Sequence, residues 1–283
     1  MEHRSRIFSL VSPPALFMFI LFVLPIGFMA VYSFRAGTFG EASKSFTLDH
    51  YREFIANIPY QRLLWRSLVI SFWVSLYTVV LSYPIAYYLV FSAGKQKLTL
   101  LTIIIVPAWV SYLLRVLAWK VILGSTGILA SFLTWIGLDV SGAPILLYSP
   151  EAVIITLVYV WIPFVALPIF AALERIDLSL LEAAYDLGCN KIQAFLRVPL
   201  PLSLPGVLAG FLFVFIPTVG EYVTPALVGG PNGIMFGNLI QDQFQRGIDW
   251  PSGSLMSLAM LVVVLAPLVL FGRFIKLSDL AGI

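Results

Sequence analysis

The chain has 283 residues, of which 60% are hydrophobic and only 11% charged, and its mean hydropathy is +0.97. Soluble domains carry about 25% charged residues, so this chain cannot cover a water-facing surface, which excludes a soluble globular protein. A net charge of +3 and a pI of about 9.0 suit a membrane protein with a basic edge and make no case for nucleic-acid binding.

Six apolar runs approach the ~20 residues that cross a bilayer: residues 8–34, 67–91, 98–123, 152–173, 202–220 and 253–272. They predict an all-α integral membrane protein of six transmembrane helices. The first run follows Arg4 and Arg6, as a signal peptide would, but continues from Ile7 to Val31. That exceeds the ~7–15 apolar residues of a signal peptide, and no small-residue cleavage site follows, so it stays as the first membrane helix. Lysine and arginine are retained on the cytoplasmic side. Arg4, Arg6, Lys95, Lys97, Arg175, Lys191, Arg197, Arg273 and Lys276 fall on the short connections of one side. Arg35, Lys44, Arg52, Arg62, Arg66 and Arg246 fall on the longer ones of the other. The bias predicts cytoplasmic N- and C-termini.

Charges within the runs are few, and each costs about 3 kcal/mol at the bilayer centre unless it faces protein or water. Arg115 and Lys120 lie in the outer half of the third run, where Lys120 can snorkel beside Trp119. The mix of Gly124, Gly127, Gly137, Gly142, Pro144 and Pro150 with apolar residues predicts an amphipathic or re-entrant element anchored by Trp135. Pro25, Pro84, Pro107, Pro163, Pro168 and Pro217 are expected to bend the spans. Glu221 and Tyr222 close the fifth run at its external end. One reading makes them a mouth for a cationic substrate, with the carboxylate offsetting charge and the ring facing ammonium. The other pairs Glu221 with Arg115 as a structural ion pair. "GGPNG" (229–233) is turn chemistry.

The most ordered connection is "EAAYDLGCNKIQAFLRVPLP", Glu182 to Pro201. Ser179 with Glu182 fits a capping box. Leu180, Ala184 and Leu187 then give an apolar helical face, and Gly188 suits a left-handed helix end. Asn190 with Gln193 starts a second helix, with Ile192, Phe195, Leu196 and Val198 on its apolar side, and Pro199 and Pro201 are expected to stop it. Ala183 and Ala184 leave a flat surface for close approach. The expectation is helix, tight turn, helix, over residues 179–201.

The spacing of Glu182, Ala183, Ala184, Gly188, Val198, Leu200 and Pro201 resembles the "EAA" loop of ABC-importer permeases. An interfacial amphipathic helix would explain the helices but not the full spacing. "VPAWVSYLLRVLAWK" (106–120), "GEYVTPALVGG" (220–230), "GNLIQDQF" (237–244) and "DWPSGS" (249–254) are similar to the polyamine (spermidine/putrescine) branch. Branches importing other small amino- or sugar-conjugated solutes and ferric iron share much of this pattern. The resemblance implies a MetI-like ABC type I importer architecture in a bacterial inner membrane. It implies that 179–201 is the coupling loop, docking on the ATP-binding subunit. It also implies a second permease subunit, two copies of that ATP-binding subunit, which hold ATP and Mg, and an extracytoplasmic substrate-binding protein.

The chain has no phosphate-binding loop of its own, because Gly94-Lys95 is followed by Gln96 and lacks the upstream glycine. His3 and His50 are the only histidines and Cys189 the only cysteine, so neither a catalytic cluster nor a metal site is expected. A stand-alone secondary carrier is the other class, and it should show related halves. The sequence shows no convincing repeat.

Overall fold

A computed structural model describes residues 12–37, 45–138 and 146–274. The expectations for His3, Arg4, Arg6, Lys44, Gly142, Pro144 and Lys276, and for the first residues of run one, lie outside the described residues. In chain order the helices are α1 (Ser12–Tyr32), α2 (Asp49–Ala56), α3 (Ile58–Phe91), α4 (Lys97–Ile105), α5 (Tyr112–Ile122) and α6 (Ile128–Trp135). They continue as α7 (Pro150–Glu174), α8 (Leu178–Asp186), α9 (Lys191–Arg197), α10 (Pro199–Val219), α11 (Phe236–Gln245) and α12 (Trp250–Phe274). Among the described residues the only β pairing is one isolated bridge, Arg35 with Phe46. The chain is all-α.

Among the described residues the contacts divide it into two compact units, 12–62 with 239–274, and 63–238. In the first unit α12 packs against α1, with Tyr32 and Trp250 rings 6.4 Å apart. His50 on α2 bonds the Arg35 carbonyl at 3.2 Å through Nε2 and the Ser252 hydroxyl at 3.1 Å through Nδ1. Since a carbonyl only accepts, Nε2 carries the proton. α1 is apolar on every side and unburied, the signature of a helix whose surroundings are lipid or another chain.

The second unit is built around α7. Ser149 caps it, its hydroxyl accepting from the Ala152 amide at 3.1 Å, while Pro150 occupies the first turn, where no amide is needed. α10 crosses α7 at Gly206, where a Cβ would stand 2.5 Å from the Ala172 Cβ and 2.7 Å from the Pro168 carbonyl. Hydrogen wins here because lipid offers helices no hydrophobic drive to associate, so close backbone approach must supply the contact. α3 buries a stripe of small polar residues, Ser67, Ser71, Ser75, Thr78 and Ser82. Ser75 and Thr78 donate to carbonyls one turn back at 2.8 and 2.6 Å, and the Ser67 hydroxyl accepts from the Phe236 amide at 2.6 Å.

Four of the expected spans are helices long and apolar enough to cross a membrane: α1, α3, α7 and α10. The third run is bent near Pro107, as expected, but so sharply that it is not one continuous helix. α4 leads into a tight 3₁₀ turn at Val106–Trp109, Val110 and Ser111 run extended at ψ 140° and 134°, and α5 leaves at 90° to the first piece. Pro107 opens that turn and withholds an amide from it. α12 contributes a shorter apolar stretch, Trp250–Ala266. In 124–150 a helix does form, α6, and its Trp135 is 81% exposed.

Candidate functional site

The loop between α7 and α10 folds as two short helices around one turn. Its start differs from expectation. Asp177, not Ser179, caps α8: its Oδ1 accepts from the Ser179 amide at 2.9 Å. The helix begins at Leu178, which places Ser179 inside the first turn, where its hydroxyl is no longer a cap. The Ser179 amide and hydroxyl hold the Asp177 carboxyl below the usual carboxylate range.

The turn forms as the glycine predicts. Gly188 sits at φ +82°, its amide donates to the Tyr185 carbonyl at 2.9 Å, and the Cys189 amide reaches back to the Ala184 carbonyl at 3.0 Å. These two bonds are a Schellman closure. Asn190 and Gln193 then exchange the paired bonds of a capping box, at 2.8 and 3.1 Å.

The faces are turned from those expected. Leu181, Ala184 and Ala194 are buried against one another, with Phe91, Cys189 and Val198 around them. Leu180 and Leu196 are exposed, Ile192 is 70% exposed and Leu187 86% exposed. Helical spacing alone assigns Leu180 and Leu187 to a face but cannot say which face the protein covers. The small residues at 184 and 194 let the two helices touch, and the large side chains point away. Phe195 anchors the assembly to α3, its ring edge-on to Tyr83 and Tyr87 at 5.6 and 5.5 Å. Glu182, Ala183 and Pro201 are exposed, and Val198 and Leu200 half-buried. Pro199 does not merely stop α9; it is the first residue of α10. The product is a knob closed by one turn and two caps, with Leu180, Leu187, Ile192 and Leu196 standing exposed among polar side chains.

The second candidate region is the corner after α10. Glu221 accepts with one oxygen, Oε1, from the Val223 and Thr224 amides at 2.8 and 3.1 Å, so it caps the turn that follows. Asn238 donates to the Tyr222 carbonyl at 2.7 Å, and a Cβ at Gly237 would meet the Gly220 and Glu221 carbonyls at 2.5 and 2.7 Å. The Tyr222 ring is exposed. The Tyr112 hydroxyl shares a 2.5 Å hydrogen bond with Thr224.

Arg115 is buried nearby and donates to the Val160 carbonyl at 3.3 Å. Among the described residues the ion pairs join Arg52 to Asp49, Lys97 to Glu174 and Arg246 to Asp242. Arg115 and Glu221 therefore do not form the structural ion pair, because each meets a different backbone group. Tyr112, Thr224 and Asn238 lie inside the segments similar to the polyamine branch, but nothing in the sequence pointed to the contacts they make here. The buried stripe of α3 had a signal, a hydroxyl every three or four residues.

Residues 78–280 match the family described as "Binding-protein-dependent transport system inner membrane component". The chain belongs to that family. It is thus a non-catalytic, multi-pass component of an inner membrane. It is 38% identical over 235 residues to the spermidine/putrescine transport system permease protein PotB of Escherichia coli strain K12, covering 83% of this chain and 84% of that one. To PotB of Haemophilus influenzae it is 37% identical, over 82% and 81%. The permease fold extends to a bacterial ABC transporter that imports the polysaccharide alginate, with a TM-score of 0.74 at 19% identity over 96% and 95% of the two chains. The knob of residues 177–201 and the Glu221 corner both lie within the matched permease region.

Proposed function

We propose that the chain is one of two related membrane subunits of an ATP-driven importer of polyamines. The pair is a heterodimer served by two copies of an ATP-binding subunit, which hold ATP and Mg, and by an extracytoplasmic substrate-binding protein. The chain crosses the membrane six times, counting the bent α4–α5 pair and α12 once each, with both termini cytoplasmic. Residues 179–201 are the coupling loop. Glu182, Ala183, Ala184, Gly188, Val198, Leu200 and Pro201 shape it, and its apolar outer residues dock on the ATPase.

One observation carries this reading: the large apolar side chains of Leu180, Leu187, Ile192 and Leu196 stand exposed on a knob whose two helices are both capped. Such a surface on a short connection needs a partner to cover it. Rigidity matters because a floppy loop would lose force to its own conformational entropy. The polyamine assignment is supported by identity to the PotB proteins across most of the chain. Likeness to the alginate importer supports the fold without selecting a substrate. Glu221 and Tyr222, a carboxylate beside an exposed ring, are the proposed ammonium contacts at the external mouth.

Purification in mild detergent followed by mass spectrometry tests the assembly, which should contain two permease chains and two ATP-binding chains. Recovery of this chain alone contradicts it. Titrating the partner binding protein with amines, sugars and ferric iron tests the substrate, and preference for a sugar or iron replaces polyamine with that solute.

A further inference from the structure

Lys97 is the first residue of α4 and reaches the last turn of α7. Its ammonium pairs with the Glu174 carboxylate and lies 5.1 Å from the centroid of the Phe170 ring. Phe170 and Glu174 are one turn apart, so the same face of α7 presents both. Glu174 ends α7, and the chain then enters the knob, whose cap is Asp177. At the bend of the helix pair, Tyr112, the first residue of α5, is bonded to Thr224 in the Glu221 corner. The first arm of the α4–α5 pair is therefore held at its start beside the knob and at the 90° bend against the Glu221 corner.

The pair is not needed for stability. Its side chains are 25% and 48% exposed, a setting in which an ion pair contributes little. α7 already has the Ser149 cap and the close crossing at Gly206.

We infer that Lys97 and Glu174 are a positioning pair that makes α4–α5 follow the coupling loop, so that displacement of α8 by the ATPase reaches the Tyr112–Thr224 contact. The inference rests on the permease reading above. A pair of this kind shifts the balance between two arrangements of the bundle rather than holding either one together.

The test is polyamine uptake per ATP hydrolysed by the complete complex in liposomes, measured beside melting temperature and subunit recovery. K97Q and E174Q should each lower the ratio roughly 2- to 5-fold, equivalent to about 0.4–1 kcal/mol at 1.4 kcal/mol per factor of ten. Assembly and melting temperature should stay at the wild-type values. K97R, and the exchanged pair K97E with E174K, should restore most of the ratio. A wild-type ratio in K97Q, an exchanged pair as poor as the single variants, or a ratio that falls only together with melting temperature or assembly overturns the inference. No ATP-driven uptake by the wild-type complex overturns the permease reading itself and this with it. Wild-type uptake beside an unaffected K97Q removes the pair alone.

Discussion

The amide of Cys189 is bonded to the carbonyl of Ala184 at 3.0 Å, closing the knob over a glycine at φ +82°. Those two residues fix the angle between α8 and α9, and hence the direction in which the exposed leucines point. No neighbouring atom lies within 4 Å of a Cβ built on Gly188, so the demand for glycine comes from backbone conformation, not from space.

Gly188→Val should therefore strain the turn by about 1–2 kcal/mol or more, the cost of a left-handed L-residue raised by branching at Cβ. Gly188→Asn, which tolerates that conformation, should cost much less. The Val variant should insert in the membrane yet lose most of its stimulation of ATP hydrolysis, while Asn retains it. Equal stimulation by both variants removes the turn from the coupling argument.

Asp177→Ala should free the Ser179 amide, read as faster hydrogen exchange at that amide with α9 unaffected. The cap is also pH-dependent. Because hydrogen bonds from Ser179 depress the native carboxyl, its contribution is complete above the unfolded value of about 3.9. It is lost as pH falls from there through the lower native value. Protection of Ser179 should be flat from neutral pH to about 5 and fall only below ~4. Protection already failing near pH 6 contradicts this assignment.

Glu221 has two separable tasks. A glutamine keeps the acceptor for the Val223 and Thr224 amides and removes the charge, so Glu221→Gln should leave melting temperature nearly unchanged. Glu221→Ala should lose the cap, at about 0.5–2 kcal/mol. If the carboxylate meets substrate ammonium, Glu221→Gln should still lower polyamine transfer by roughly 5- to 150-fold, the equivalent of about 1–3 kcal/mol. Adding Arg115→Gln should rescue neither stability nor uptake, since the two charges are not paired. Rescue by the double variant restores the ion pair and takes Glu221 out of the pathway.

Gly206→Ala should be costly for a one-methyl change. The added Cβ would stand 2.5 Å from Ala172 and 2.7 Å from a backbone carbonyl, so α7 and α10 must part. Overpacking of this kind costs about 1–3 kcal/mol, checked by thermal unfolding in nanodiscs. Gly27→Ala, with nothing within 4 Å of the new atom, is the control and should have no steric cost.

Much of this architecture was legible because its signals are local. Apolar length identifies spans, a glycine and an asparagine–glutamine pair identify the turn and second cap, and fixed spacing identifies the family. What escaped needed competition between nearby groups. Asp177 and Ser179 are both good caps, and which one acts depends on where the chain leaves α7. Leu180 and Leu187 share a face, but only the contact of Ala184 with the α9 side decides that they stay outside. Pro107 signals a bend in the third run, but the extended pair Val110–Ser111 beyond it and the full 90° turn lie inside an apolar run where hydropathy cannot see them. Charge offers Arg115 as one of two partners for Glu221, whereas backbone groups nearby take each of them.

The most direct test of the account is uptake of labelled spermidine and putrescine into liposomes holding this chain with its second permease and ATP-binding subunits. Uptake should require ATP on the cytoplasmic face and the binding protein on the other, and should vanish when the ATP-binding subunit is omitted. Uptake by this chain without ATP or its ATPase, or ATP hydrolysis by the full complex with no movement of either polyamine, contradicts it.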